Sequence, residues 1–439
     1  MSKLLLTVAV AVAVAVAALA ANARVVSKPI SLEYLKEDQD PLKVKAQPWE
    51  DGPSIQSILE LPTAWASMMI CSGLFVAGLP LDVVVDEDCD IACLAVNVTI
   101  NYDLKTVESS LLNSGEWPVT SIWRGDGIGC TVVDGMTEAE LRTQDVGDQT
   151  PLPALNDSIP WPLGNGFASV LPSEVDWQAI YDAVEADFAC TRCNTRAVTI
   201  AYKGELVYER YADNVNVNTR LLGWSATKSV TNSLLSQIVF DGLIGLEDKM
   251  PVAEWQVSPD DPRAAVTVTN MLHMSSGQLW REASGDVRCL FITAQGDCAG
   301  YYADQPQEVP PNTQYEYSTG CSTLLLRTVL QQRGDLQWNN FEWPRQRLFK
   351  RLSMHSALIE AQTNGYLLGG SNGYMVARDW LRLGLLYARD GIWVDGTRVL
   401  PPGWVDFTKT PAPTNGGYGA HFGVGNSQGT PYFNMNGFR

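Results

Sequence analysis

Hydrophobic and polar positions change period several times along the chain, and each change marks an element. Residues 4–21 are one apolar run rich in Ala and Val, preceded by Lys3 and ending in Ala21-Asn22-Ala23, an A-x-A cleavage pattern. This predicts an export signal (residues 1–23) cleaved after Ala23, with an uncleaved membrane anchor as the alternative. No other stretch reads as long and apolar enough to cross a bilayer. Residues 36–52 are charged and proline-bearing, as in a surface arm, and ordered structure is expected from near Ile55. Val96, Val98, Ile100 and Tyr102 then alternate with Asn97, Thr99 and Asn101, the period of a half-buried strand.

Residues 151–172, rich in Pro, Gly, Asn and Ser, are the best boundary. They divide an N-terminal accessory region (24–172) from a larger domain (173–439). The larger domain opens on two β-prone runs, 197–202 and 205–211, joined by Lys203-Gly204, a strong hairpin signal. From Ser225 the period becomes helical: Val230, Leu234 and Ile238 repeat every four residues beside Leu235 and Val239, until Asp241-Gly242. Further helices are expected over 321–332 and over 377–389, the latter with Trp380, Leu383 and Tyr387 on one stripe. An early hairpin followed by helices predicts an α/β (α+β) fold, an antiparallel sheet flanked by helices, rather than a doubly wound parallel sheet.

The net charge of -18 would repel polyphosphate backbones and anionic membrane surfaces, so nucleic acid is excluded as a partner. Nine cysteines in an exported chain fit several disulfides plus one unpaired thiol. Spacing suggests Cys289 with Cys298 and Cys190 with Cys193. Cys71, Cys89, Cys93 and Cys130 form a second group whose connectivity stays open, and Cys321 is the expected free, buried thiol. A redox or metal role for Cys190-Thr191-Arg192-Cys193 lacks a second CxxC or a His pair at zinc spacing. Asn97-Val98-Thr99 and Asn156-Asp157-Ser158 are glycosylation sequons, relevant only in a eukaryotic source.

Ser225-Ala226-Thr227-Lys228 is an S-x-x-K sequence opening a helix. Residues i and i+3 share a helix face, which sets the Lys228 amine beside the Ser225 hydroxyl, and the helix N-terminus favours a nucleophilic oxygen there. Without support, the pair reads equally well as a capping serine and a solvated lysine. The support is Tyr315-Glu316-Tyr317-Ser318-Thr319-Gly320, because acyl transfer needs a second proton carrier and a lysine ammonium can lower the pKa of a neighbouring tyrosine.

In order along the chain stand Glu209-Arg210-Tyr211, the S-x-x-K helix, Leu272-His273-Met274-Ser275-Ser276-Gly277, Tyr317-Ser318-Thr319-Gly320, Gly369-Gly370, and Ala377-Arg378-Asp379. Over residues 190–439 this set resembles the serine β-lactamase, DD-peptidase and 6-aminohexanoate-dimer-hydrolase superfamily. The stretches Cys71-Ser72-Gly73 and Gly129-Cys130 also look like the N-terminal region of secreted members. The resemblance implies Ser225 as the acylated nucleophile, Lys228 as its activating partner and Tyr317 as acid and base. It also implies Thr319 and Gly437 as substrate-binding positions, a structural role for His273, and neither metal nor organic cofactor. The implied substrate is a small ester, an amide or a peptide, including peptidoglycan-like peptides. Thr319 stands where many β-lactamases have Asn, which weakens the case for β-lactam or D-Ala amide recognition.

The family's third motif completes the oxyanion hole from an edge strand. Lys409-Thr410-Pro411 is spoiled by its proline, and His421-Phe422-Gly423 fits H-x-G literally, but family order favours Asn436-Gly437-Phe438. In the family further strands and a helix follow that motif, so a missing C-terminal portion is implied, and with it poor solubility and near inactivity of this form. Two rival readings stand beside the main one. In the first, the chain is a family member that keeps the fold as a binding or scaffold protein without turnover. Alternatively, Gly369-Gly370-Ser371-Asn372-Gly373 matches the G-x-S-x-G elbow of an α/β-hydrolase, with Ser371 as nucleophile followed by Asp379 or Asp390 and His421.

Overall fold

The computed structural model describes residues 55–438 except 90, 192, 283–284 and 292–295. The expected signal segment, its expected cleavage site and the charged arm lie outside the described residues. The first element, helix α1 (Ile55–Ser72), lies across a four-stranded antiparallel sheet of order β1-β2-β3-β4. Its strands are β1 (Val96–Asn101), β2 (Thr106–Leu111), β3 (Val119–Trp123) and β4 (Cys130–Val132). Along β1 the alternation read from the sequence is realised, with Val96 buried, Val98 and Ile100 half-buried, and Asn97, Thr99 and Asn101 exposed. Against the sequence expectation, Glu60–Ala77 is long and apolar enough to cross a membrane. In the fold that stretch is mostly buried, its Ala64, Ala66, Met68 and Ile70 facing the core.

Beyond residues 151–172, which contain neither helix nor strand, helix α2 (Trp177–Phe188) is capped by the Asp176 carboxylate on the Ala179 N–H. Strands β5 (Ala197–Tyr202) and β6 (Glu205–Tyr211) pair antiparallel through Lys203 at φ 50° and Gly204 at φ 90°. Both central residues of a tight hairpin need positive φ, which glycine adopts freely and lysine does not. Strand β7 (Leu221–Leu222) leads through a 3-10 turn, Trp224–Ala226, into helix α3 (Thr227–Phe240). There Val230, Leu234, Leu235 and Ile238 are fully buried, each worth about 1.5–3 kcal/mol of transfer free energy.

Helix α4 (Thr319–Gln332) starts two residues earlier than the sequence pattern suggests, because the Ser318 hydroxyl caps the Cys321 N–H at 3.0 Å. Strands β8 (Leu358–Ile359) and β9 (Gly373–Met375) join β7 in the order β7-β9-β8, both pairings antiparallel. Helix α5 (Ala377–Ala388) buries Leu383 and Tyr387 and packs on β5. The chain closes on the hairpin of β10 (Gly423–Ser427) and β11 (Thr430–Asn434). The fold is thus α/β of the α+β kind, with antiparallel strands flanked by helices, although among the described residues the strands form four separate hydrogen-bonded units rather than one sheet.

Eight cysteines are paired as Cys71–Cys130, Cys89–Cys93, Cys190–Cys193 and Cys289–Cys298, and Cys321 is free and buried. These pairs include both spacings singled out in the sequence and resolve the group of four. Cys190 and Cys193 are bonded to each other, which occupies the two sulfurs a metal or redox reading would need. At the contact between the N-terminal region and the rest lies Glu360, fully buried. Its carboxylate accepts from Ser72 Oγ at 2.7 Å, the Cys130 N–H at 2.8 Å and Asn372 Nδ2 at 3.0 Å.

Candidate active site

Trp224, the residue before Ser225, adopts φ 45°. A bulky side chain in the left-handed region costs of order 1–3 kcal/mol, so surrounding contacts must hold it there. Trp65 from α1 stacks on it with ring centroids 5.6 Å apart, and Phe438 meets it edge-on at 5.6 Å. Gly223, whose N–H donates to the Gly373 carbonyl at 2.8 Å, lies so close under Trp380 that a Cβ would fall 2.1 Å from that ring. The turn therefore delivers Ser225, half-buried, one 3-10 turn ahead of α3.

One turn on, the Lys228 ammonium group is 1% exposed and reaches three oxygens. Its Nζ lies 2.7 Å from the Gly370 carbonyl, 2.9 Å from Thr319 Oγ1 and 3.0 Å from Ser225 Oγ. The carbonyl is presented by the 369–373 loop, which the polar faces of two helices grip. Thr231 Oγ1 donates to the Gly369 carbonyl at 2.7 Å, the Gly373 N–H to Thr227 Oγ1 at 2.9 Å, and the Gly370 N–H to Thr323 Oγ1 at 3.2 Å. Gly370 approaches α4 so closely that a Cβ would sit 2.2 Å from the Thr319 carbonyl oxygen. Burial lowers the Lys228 pKa to about 8, against the opposing charges of Glu282 and Cys321.

Tyr317 faces the same pair: its ring centroid lies 4.7 Å from Lys228 Nζ, and its hydroxyl is close enough to Ser225 to feel that hydroxyl electrostatically. Burial holds its hydroxyl well above the usual tyrosine pKa, while the nearby Ser225 hydroxyl works the other way. The sequence reading expected an ammonium to lower that pKa. Burial is the larger effect. Thr319 is buried, its hydroxyl engaged by Lys228 and by Glu282 Oε1. Glu282, which sequence reasoning missed, also accepts from the Thr319 N–H at 2.9 Å and from Trp280 Nε1 at 2.6 Å. The one available signal was a carboxylate following Leu279 and Trp280 shortly after the quoted Ser275-Ser276-Gly277 stretch.

Gly437 is exposed in the segment beyond β11, and its neighbour Phe438 brings that segment against Trp224. The competing third-motif candidates lie elsewhere. His421 is buried behind α3: its Nδ1–H donates to the Lys228 carbonyl at 3.1 Å, Nε2 sits 3.3 Å from Ser322 Oγ, and its own carbonyl accepts from Ser229. Burial pushes its pKa down to about 3, so it is a neutral strut. Lys409 ends a short helix, Trp404–Lys409, and pairs with Asp406 at 2.7 Å. His273 stacks on Phe407 at 5.4 Å.

The α/β-hydrolase alternative fails on the same ground. Ser371 lies in the loop before the three-residue β9, the strand pairings around it are antiparallel, and its would-be partners are bonded away from it. Asp379 receives Ser356 N at 3.0 Å and Arg382 Nη1 at 2.7 Å, and Asp390 pairs with Arg398 at 3.5 Å.

A half-buried serine hydroxyl thus stands beside a buried amine of lowered pKa and a half-buried tyrosine, groups able in principle to supply a nucleophile and two proton carriers. A model of the beta-lactamase family matches residues 189–439, and the chain belongs to that family. It is accordingly a serine hydrolase of the amide- or ester-cleaving kind. No curated protein matches it in sequence.

Among solved structures it is similar to a candidate β-lactamase from Bacteroides dorei DSM 17855, at 12% identity and TM-score 0.48, covering 60% of this chain and 85% of that one. A candidate 6-aminohexanoate-dimer hydrolase from Bacillus anthracis matches at 18% identity and TM-score 0.46, covering 73% and 80%. A D-stereospecific amidohydrolase from Streptomyces sp. matches at 15% identity and TM-score 0.47, covering 60% and 87%.

Proposed function

We propose that the chain is an exported hydrolase that cleaves a carboxylic ester, a linear amide or a peptidoglycan-like peptide through an acyl-enzyme on Ser225. The observation that carries this reading is the Lys228 Nζ to Ser225 Oγ distance of 3.0 Å, with the Tyr317 ring centroid 4.7 Å from the same Nζ. Ser225 Oγ bonds the substrate carbonyl carbon as its proton passes to neutral Lys228, and the carbonyl π pair moves to oxygen. Backbone N–H groups at Ser225 and at Gly437 hold that oxyanion. As the intermediate collapses, Tyr317 gives its proton to the departing group. In the second half-reaction the tyrosinate takes a proton from water, hydroxide attacks the ester, and Lys228 returns its proton to Ser225. No cofactor is needed for this sequence of steps.

The four disulfides support an oxidising, exported location. The division into accessory region (24–172) and hydrolase domain (173–439) belongs to the same proposal. The test is hydrolysis of p-nitrophenyl esters. Ser225→Ala should abolish it and Ser371→Ala should leave it nearly intact, whereas the reverse pattern would sink the assignment. Absence of turnover in the unmodified chain would favour a binding or scaffold role.

A further inference from the structure

As an ammonium Lys228 can donate to all three oxygens its Nζ faces, but in the neutral form that can accept a proton it has two N–H donors and one lone pair for the same three. The Gly370 carbonyl can only accept. A hydroxyl can do either, so Thr319 would be free to donate to the lysine and take up its lone pair. That choice is removed by Glu282, whose carboxylate accepts from the Thr319 hydroxyl through Oε1 and from the Thr319 N–H through Oε2 at 2.9 Å. Trp280 Nε1, donating to Oε2 at 2.6 Å, fixes the carboxylate in turn. With its proton committed, the Thr319 oxygen must accept from Lys228. Ser225 is the one partner left for the lone pair.

We propose that Glu282 is a positioning residue for acylation: by holding the Thr319 hydroxyl proton it turns the lone pair of neutral Lys228 onto the Ser225 hydroxyl. This rests on the reading of Ser225 as nucleophile and deepens it. As Ser225 Oγ bonds the carbonyl carbon, its proton moves to Nζ, and the new ammonium has three donors for the same three oxygens. The Glu282 charge, one bridging hydroxyl away, stabilises that ammonium. Thr319 thus acts inside the machinery, which accounts for a threonine where relatives by resemblance carry Asn.

The experiment is the second-order rate of fluorophosphonate labelling of Ser225 between pH 6 and 10, for the full chain and three variants. Three other groups near Lys228 are moved out of that window. His421, from the segment before β10, is neutral because burial pushes it down to about 3, burial pushes Cys321 of α4 up to about 12, and Tyr317 is held higher still. The rising limb of the profile therefore reports Lys228.

Glu282→Gln should slow labelling about ten- to a hundredfold and move the limb to lower pH, because a vanished negative charge makes the lysine easier to discharge. Thr319→Val should slow it comparably, and Thr319→Ser, which keeps the hydroxyl, should restore it to near the parent rate. A limb unmoved in Glu282→Gln, or Thr319→Val labelling as fast as the parent, would overturn the proposal even if Ser225 is acylated normally. Failure of the unmodified chain to label at Ser225 would instead remove the nucleophile assignment, and this inference with it. Unfolding of Glu282→Gln, visible in its melting curve, leaves the decision to the two threonine variants.

Discussion

In the N-terminal region buried hydroxyls pair off: Ser67 Oγ with Ser121 Oγ at 2.8 Å, and Ser109 Oγ onto the Thr63 carbonyl, each pinning α1 to one strand. Around Ser225 they converge instead. Thr227, Thr231 and Thr323 grip one loop, and that loop, Thr319 and Ser225 all meet a single amine. Pairwise bonding fixes an element and little else, since removing one hydroxyl orphans one partner. Convergent bonding ties one group to several elements at once, because one buried amine holds oxygens from a 3-10 turn, a helix and a loop. The two regions touch at Glu360 and at Trp65, so the stabilising region also borders the reactive one.

The sharpest way to break this contrast is at the point of convergence. Lys228→Ala and Tyr317→Phe should each lower kcat/KM for ester hydrolysis about a hundredfold or more. Ser67→Ala, a pairwise site, should leave kcat/KM within about twofold while lowering stability by about 1 kcal/mol. Steady-state kinetics beside melting curves would check all three. Equal kinetic losses at Ser67 and Lys228 would erase the distinction.

The junction offers a pH test. Burial raises the Glu360 pKa from 4.5 to about 7, against the bonds from Asn372, Cys130 and Ser72. A carboxyl whose folded pKa is raised holds its proton in the native state after the unfolded chain has released it. It therefore costs stability as pH rises from about 4.5 to about 7, and the cost is constant above that. Glu360→Gln keeps an acceptor for Ser72 and Cys130 but cannot ionise. Relative to the parent it should gain on the order of 3 kcal/mol between pH 4.5 and pH 7. Urea unfolding at the two pH values would show it, and a difference independent of pH would contradict the buried, protonated carboxyl.

A smaller effect is expected at Trp65, which stacks on Trp224 and lies 4.9 Å from Phe291. Trp65→Ala should cost about 2 kcal/mol of stability and lower kcat more than it raises KM, since it releases the strained turn before Ser225. The smallest effect concerns Cys321. Iodoacetamide should leave the native chain unmodified and alkylate one thiol after unfolding, because burial pushes that thiol up to about 12.

Elements were legible in the sequence where one pattern repeats locally. The Lys203-Gly204 turn announced β5 and β6, the four-residue repeat of Val230, Leu234 and Ile238 announced α3, and the spacing of Cys289 and Cys298 announced their bond. Ser225 and Lys228 could be paired because a helix brings i and i+3 together. Glu282, Glu360 and Gly370 could not be read in this way. Their partners are Thr319, Ser72 with Cys130, and Lys228, each brought near by tertiary packing rather than by any local period. The raised pKa of Tyr317 escaped for a related reason: a motif gives the neighbouring charge, and only the packed fold gives the burial that outweighs it.

The central claim is that Ser225 forms the covalent ester. Its most direct test is the intact mass of the chain after exposure to a fluorophosphonate, with the adduct located by peptide mapping and Ser225→Ala run in parallel. The account predicts one phosphonyl group on the peptide bearing Ser225 and an unchanged mass for the variant. An adduct on Ser371, or an unmodified parent chain, would contradict it.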